Sequence, residues 1–105
     1  MRRVVMKIGL TYDTVPEKMN EAMSILKEIP SRVQYVSSND LVVNFTDFTD
    51  SALVITFIYF IEKEGDIGNT TSNVNMEVLT SFNQVGLNFA YPTQTIYLER
   101  EELPV

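Results

Sequence analysis

Residues 41–61 read LVVNFTDFTDSALVITFIYFI, and this stretch decides the fold. Both of its halves, 41–48 and 52–61, are rich in the β-branched and aromatic residues that strands favour. Only Thr49, Asp50 and Ser51 separate the two halves. A link this short joins neighbouring strands that run in opposite directions. The sequence therefore predicts an antiparallel hairpin.

The N-terminal part predicts a strand followed by a helix. Residues 3–11 alternate between apolar and other side chains, as in a strand with one face in the core. Thr14 is a suitable N-cap for the following helix, and Glu17 would complete a capping box. We expect Pro30 to end that helix. Apolar residues at steps of three and four should face the core: Val15, Met19, Ala22, Met23, Leu26 and Ile29.

The C-terminal part predicts a loop, a second helix and a last strand. Glycines and small polar residues make 62–73 a loop, the helix is expected over about 72–86, and 95–99 alternate as a strand. The order βαββαβ is that of the ferredoxin-like α+β fold, with two helices on one face of a four-stranded antiparallel sheet. The second helix should bury Val74, Val78, Leu79, Phe82 and Val85.

Three segments carry a resemblance to a known family. They are VMKIGLTYDTVPEK at 5–18, VNFTDFTDSALVITFIYFI at 43–61 and GLNFAYPTQTIYL at 86–98. In order and spacing they resemble the C-terminal domain of MscS-type mechanosensitive ion channels. One departure is Ala90, which stands where many members of the family carry a proline.

The resemblance implies a single domain, 1–105, on the cytoplasmic face of the cell membrane within a membrane channel. In such channels seven subunits enclose a vestibule through which solutes reach the pore. Its partners would be other copies of itself and the rest of the channel chain. We expect this chain to be a fragment, with the pore helices elsewhere. The terminal strand and tail, 93–105, would pair either within its own sheet or between subunits.

The composition argues against several functions. The chain has neither histidine nor cysteine, so the commonest general base and metal ligand is missing and no thiolate chemistry is available. A net charge of −6 disfavours nucleic acid. The longest apolar run, 53–61, is far shorter than the roughly 20 residues of a membrane-spanning helix. We predict no enzyme activity, no metal or cofactor, and no membrane insertion by this segment.

The strand at 52–61 is apolar on both faces. Taken singly, its aromatic residues and Phe45 are interpreted as core: Phe57, Tyr59 and Phe60. Helices of a two-layer fold cover only one sheet face, however, so Val54, Ile58 and Phe60 are predicted to contact another chain. The resemblance adds Pro92, Ile96 and Leu98 of the terminal strand as subunit-interface candidates.

A second hypothesis is a free-standing ferredoxin-like regulatory domain that binds a small metabolite at a dimer interface. Such a domain should carry a glycine-rich turn after its first strand, where the ligand approaches the backbone. This chain has Tyr12, Asp13 and Thr14 at that place. The turn therefore favours the channel hypothesis.

Overall fold

The computed structural model describes residues 1–90. The elements in chain order are β1 (Arg2–Leu10), α1 (Pro16–Lys27), α2 (Ile29–Arg32), β2 (Val42–Phe48), β3 (Leu53–Ile61) and α3 (Ile67–Gln84). The three strands form one antiparallel sheet in the order β1-β3-β2. The predicted hairpin and the α+β character are confirmed. The predicted fourth strand at 95–99 lies outside the described residues.

The core lies between this sheet and the helices. Alternate residues of the central strand β3 point towards α1 and α3 and are buried. Ile8 and Leu10 of β1 join them from one side, and Met19 and Leu26 of α1 from above. The largest fully buried side chains are Phe57, Tyr59 and Phe82. This packing confirms the period-2 pattern of β3 and most of the helix stripes.

A β-bulge at Thr46 changes the register of β2 against β3. Phe45 lies opposite Ile55, and Asp47 lies opposite Val54, so one residue of β2 has no counterpart. Residues three apart in a regular strand point to opposite faces, but the extra residue brings Phe45 and Phe48 to the same face. Their rings lie 5.0 Å apart between centroids. The bulge is therefore the origin of an aromatic pair at the end of β2.

The predicted start of the first helix is wrong by one residue. Val15, in extended conformation, is the N-cap of α1, and it makes no side-chain capping bond. The Thr14 hydroxyl instead donates to the Thr11 carbonyl at 2.7 Å and closes the preceding turn, so no capping box forms with Glu17. Pro16 can open the helix because the first turn needs no backbone donor.

Pro30 does not end α1, which stops at Lys27. The proline lies in the first turn of the short helix α2, where its missing N–H removes no helical hydrogen bond. α3 also begins earlier than predicted, at Ile67 instead of Ser72. Asp66 is its N-cap and accepts a hydrogen bond from the Asn69 amide at 2.8 Å. The small polar residues read as loop are therefore helical.

The chain leaves α3 through a glycine turn. Gly86 has φ +78° and follows the C-cap, and the Leu87 amide donates to the Phe82 carbonyl at 2.9 Å, as in a Schellman motif. Phe89 then lies opposite Leu10, and the Ala90 amide donates to the Gly9 carbonyl at 2.9 Å. The last described residues thus pair with the outer edge of β1.

Candidate assembly surface

One face of the sheet is not covered by any helix within residues 1–90. Val54, Ile58 and Phe60 lie on it, opposite the core-facing residues of β3, and each is half-buried. Their position is as predicted from the alternation of the strand. Contact with another chain remains a prediction for all three.

An apolar row crosses this face from strand to strand. Val5 of β1 and Val42 of β2 both lie opposite Ile58. Val5 is 45% exposed. Beside this row Thr56 is almost fully buried, and its hydroxyl lies 2.7 Å from that of Thr46. The middle of the face is therefore apolar, with one internally satisfied polar pair.

The border of the same face along β1 is basic. Arg3 lies opposite Phe60, and Lys7 lies opposite Thr56. Both are exposed, and neither forms an ion pair with another residue of 1–90. We call this surface the sheet face. It is formed by Arg3, Val5, Lys7, Val42, Val54, Thr56, Ile58 and Phe60, and the exposed Asp47 of β2 lies opposite Val54 at its other border.

A second apolar surface lies at the end of the sheet, on the helix side. We call it the aromatic groove. It has a volume of about 400 Å³ and is lined by Tyr12, Thr14, Pro16, Met19, Asn20, Met23, Phe45, Phe48 and Leu53. Phe48 is 74% exposed and Phe45 is 37% exposed. Because α1 lies over this part of β2 without filling the space beside the two rings, the groove is open to solvent.

Two turns meet at the mouth of the groove. The Tyr12 hydroxyl donates to the Thr49 carbonyl and so joins the β1–α1 turn to the β2–β3 turn. Tyr12 is 51% exposed. The Thr11 hydroxyl donates to the Asp13 carboxylate at 2.7 Å and orders the first turn. These contacts hold Tyr12 beside the groove.

Acidic residues are chain neighbours of the residues that line the groove. Asp13 and Glu17 flank lining residues in the β1–α1 turn and in α1, and Asp50 lies in the turn that Tyr12 contacts. The nearby Lys18 ammonium donates to the Glu21 carboxylate at 3.1 Å and to the Val85 carbonyl at 2.6 Å. Its charge is thus directed towards α3 and away from the groove.

Sequence reasoning missed the aromatic groove. It interpreted Phe45 as core, yet that ring is 37% exposed at the groove beside the bulge. It also assigned Leu79 and Val15 to buried stripes, and both are exposed. One feature of the sequence is consistent with the groove. Phe45 and Phe48 are both aromatic, and they are three residues apart, so they can share one face only if the strand has a bulge between them.

Other predicted candidates have different outcomes. Pro92, Ile96 and Leu98 lie outside the described residues. Within 1–90 there is no cluster of three metal-ligating side chains, and no helix is long and apolar enough to cross a membrane.

Two ionisable groups among residues 1–90 have shifted pKa values. Burial raises the pKa of Tyr59. A hydrogen bond to Glu77, and to a smaller extent one to Glu28, raises the pKa of Arg32. The bond to Glu77 joins α2 to α3.

The model of one protein family matches this fold along most of the chain. That family is described as "Mechanosensitive ion channel MscS, C-terminal", and the match runs over residues 4–89. The matched residues include the helices α1, α2 and α3, the strands β2 and β3 and all of β1 except Arg2 and Arg3, and they also include the segment that returns to β1.

Two relatives from Methanocaldococcus jannaschii are similar to the chain over nearly its whole length. The large-conductance mechanosensitive channel MscMJLR is 33% identical over an alignment of 105 residues that covers 95% of this chain. The small-conductance mechanosensitive channel MscMJ is 34% identical over an alignment of 102 residues that also covers 95% of this chain. A further MscS family protein, from Aquifex aeolicus, is 24% identical over 102 residues. The chain spans 29% of the length of each of the first two relatives.

Proposed function

The chain belongs to the MscS family of mechanosensitive ion channels, as the family's C-terminal domain, and from this premise we propose that it assembles channel subunits on the cytoplasmic side of the membrane. In this role it binds other copies of itself, catalyses nothing and shapes the path by which solutes reach the pore. A free-standing regulatory domain is the weaker alternative, because the similar channels carry this domain in chains more than three times as long.

The observation that carries the proposal is the sheet face. A partly exposed apolar row crosses three strands, from Val5 through Ile58 to Val42, and contiguous apolar surface of this kind marks interaction sites. Phe60 extends this area along β3. A neighbouring subunit would remove it from solvent, at about 25 cal/mol per Å² of apolar surface covered.

The chain after Ala90 supports a second contact between subunits. If the pairing of Phe89 with Leu10 continued, Pro92 would lie opposite Lys7. Ala90 donates to the Gly9 carbonyl, so residue 92 would have to donate to the next carbonyl in the same series. Proline has no N–H and cannot do so. In the proposed assembly, pairing with β1 would therefore end near Pro92, and Ile96 and Leu98 would pair with the equivalent strands of neighbouring subunits.

The charge of the domain bears on solute access. Fourteen acidic and eight basic residues give a net charge of −6. Around a vestibule, such walls attract cations and raise their local concentration, an effect that salt screens. The proposed contribution to conduction is this electrostatic one, and it needs no bound cofactor.

The test is to end the full-length channel chain after Tyr91 and to compare it with a control chain that ends after Arg100. The core lies within residues 1–90, so both variants should fold and reach the membrane. The first should lose oligomer stability on native gels and give unstable stretch-activated currents, while the control should behave as the intact channel. Full assembly and normal currents after truncation at Tyr91 would rule out the role of the terminal strand. Normal channels without residues 1–105 altogether would rule out the assembly function.

A further inference from the structure

The β1 border of the sheet face is basic, whereas acidic residues are neighbours of the aromatic groove, and this difference points to how copies of the chain meet. Asp47, at the β2 border of the sheet face, would lie away from that contact. We propose that the aromatic groove of one subunit binds the sheet face of the next subunit. The inference rests on the proposed assembly function and goes beyond it, because it names both halves of the contact. It commits to a second copy of this chain as the occupant of the groove.

Charge complementarity is the first argument. Asp13 and Glu17 are chain neighbours of groove-lining residues, and Asp50 lies in the turn that Tyr12 contacts. The Lys18 ammonium is engaged with Glu21 and Val85. The sheet face offers Arg3 and Lys7, which are exposed and form no ion pair within 1–90. Charges of opposite sign at the rim of an interface select the partner and fix its orientation.

The shapes of the two surfaces are the second argument. Phe48 is 74% exposed and projects from the end of β2 as an aromatic knob. The sheet face is the kind of broad surface on which such a ring can lie, because its central row consists of β-branched residues, Val5, Ile58 and Val42. Aromatic anchors covered by apolar neighbours and ringed by polar groups are typical of binding hot spots.

The placement of the surfaces makes the contact repeatable. The groove lies on the helix side of the sheet, and the sheet face lies on the other side. One subunit can therefore use both at once, binding one neighbour through each. A contact between two different patches is heterologous, and such contacts close into rings when the rotation between subunits permits it.

Cross-linking in the full-length channel, made free of other cysteines, tests the proposal. The 105 residues contain no cysteine. Asn20→Cys places a thiol at the groove and Asn44→Cys places one beside the sheet face, opposite Thr56. Both positions are exposed. A short bis-maleimide linker should join subunits of the double variant into a ladder of multimers, whereas each single variant should stay monomeric on a denaturing gel.

The outcomes separate this inference from the assembly function. Dimers formed by either single variant would mean a two-fold contact and would overturn the heterologous one. A double variant that conducts normally but gives no ladder would overturn the inference while the assembly function stands. If the double variant neither assembles nor conducts, the test is repeated with Glu21→Cys in place of Asn20→Cys, again combined with Asn44→Cys. Absence of a ladder in that variant also counts against the inference.

Charge reversal provides a second, independent readout. Lys7→Glu and Glu17→Lys should each lower the cross-linked yield about fivefold, and the two together should restore it. Lys27→Glu, at the far end of α1, is the matched control and should change nothing. If the double reversal fails to recover the yield lost in the single ones, the two side chains do not face each other and the proposed docking is wrong.

Discussion

The two faces of β3 show how one strand can serve both the fold and an assembly. On the core side every residue from Leu53 to Ile61 is buried, and Phe57 and Tyr59 are the largest of them. On the other side, which no helix within residues 1–90 covers, Ile58 and Phe60 are half-buried although they are just as apolar. Composition alone does not distinguish the two sets.

The difference lies in what covers each face. Helices α1 and α3 enclose the core side, so its side chains stabilise the monomer. Within residues 1–90 nothing of comparable size covers the sheet face. Its apolar area is therefore available to a partner, and the free energy it contributes appears only on association. Substitutions on the two faces should separate these effects.

The largest expected effect comes from truncating the same side chain on each face. Phe57→Ala leaves a cavity at a fully buried position and should lower the free energy of unfolding by about 3–5 kcal/mol. Phe60→Ala removes a half-buried ring and should lower it by about 1 kcal/mol. Urea denaturation of the chain, followed by circular dichroism, measures both. Equal losses would show that the sheet face is enclosed within the monomer.

The next effect is on association. Ile58→Thr keeps the β-branched shape but removes apolar area from the centre of the sheet face. We expect the monomer to lose less than about 1 kcal/mol, and each subunit contact in the full channel to lose about 1–2 kcal/mol. Light scattering of the purified channel at graded concentration measures the second quantity. Ile55→Thr is the control on the core face, and it should impair folding itself.

Much of this comparison could be predicted from the sequence. Strict alternation along 52–61 was sufficient to place Val54, Ile58 and Phe60 opposite the core, because a strand turns each successive side chain to the other face. The Pro92, Ile96 and Leu98 part of the candidate interface stays a prediction. The hairpin followed from its short link in the same way.

The aromatic groove could not be predicted in full, because the spacing of Phe45 and Phe48 alone does not show that a bulge brings them together. It depends on the bulge at Thr46, which no glycine or proline in β2 indicates. The start of α3 was missed for a related reason. Asp66 forms its N-cap, and the side-chain hydrogen bond outweighs the low helix propensity of the glycine and small polar residues that follow.

A smaller effect should come from the one buried polar residue on the sheet face. The Thr56 hydroxyl lies 2.7 Å from the Thr46 hydroxyl, at the bulge. Thr56→Val removes this hydrogen bond but leaves Thr46 in contact with water, so the free energy of unfolding should fall by no more than about 1 kcal/mol. A loss above about 2 kcal/mol in thermal unfolding would mean that the pair fixes the bulge, and the groove should then change as well.

The smallest expected effect is a change of the free energy of unfolding with pH, which arises from Tyr59 on the core face. Burial raises the pKa of Tyr59 above its ordinary value of 10.0, because the folded protein disfavours the phenolate. The unfolded chain ionises first, at about pH 10, so it binds fewer protons than the folded chain above that pH. Stability is therefore unaffected below about pH 9 and falls as the pH rises past 10 towards the folded pKa.

The variant Tyr59→Phe tests this dependence, because it should remove this part of the loss of stability at alkaline pH. At pH 7 it should change the free energy of unfolding by less than about 1 kcal/mol, since the Tyr59 hydroxyl makes no side-chain hydrogen bond within residues 1–90. Urea midpoints at pH 7, 9 and 10.5 for the two proteins measure it. Parallel curves would mean that the Tyr59 hydroxyl reaches solvent, and that the core face of β3 is less completely closed than its buried neighbours indicate.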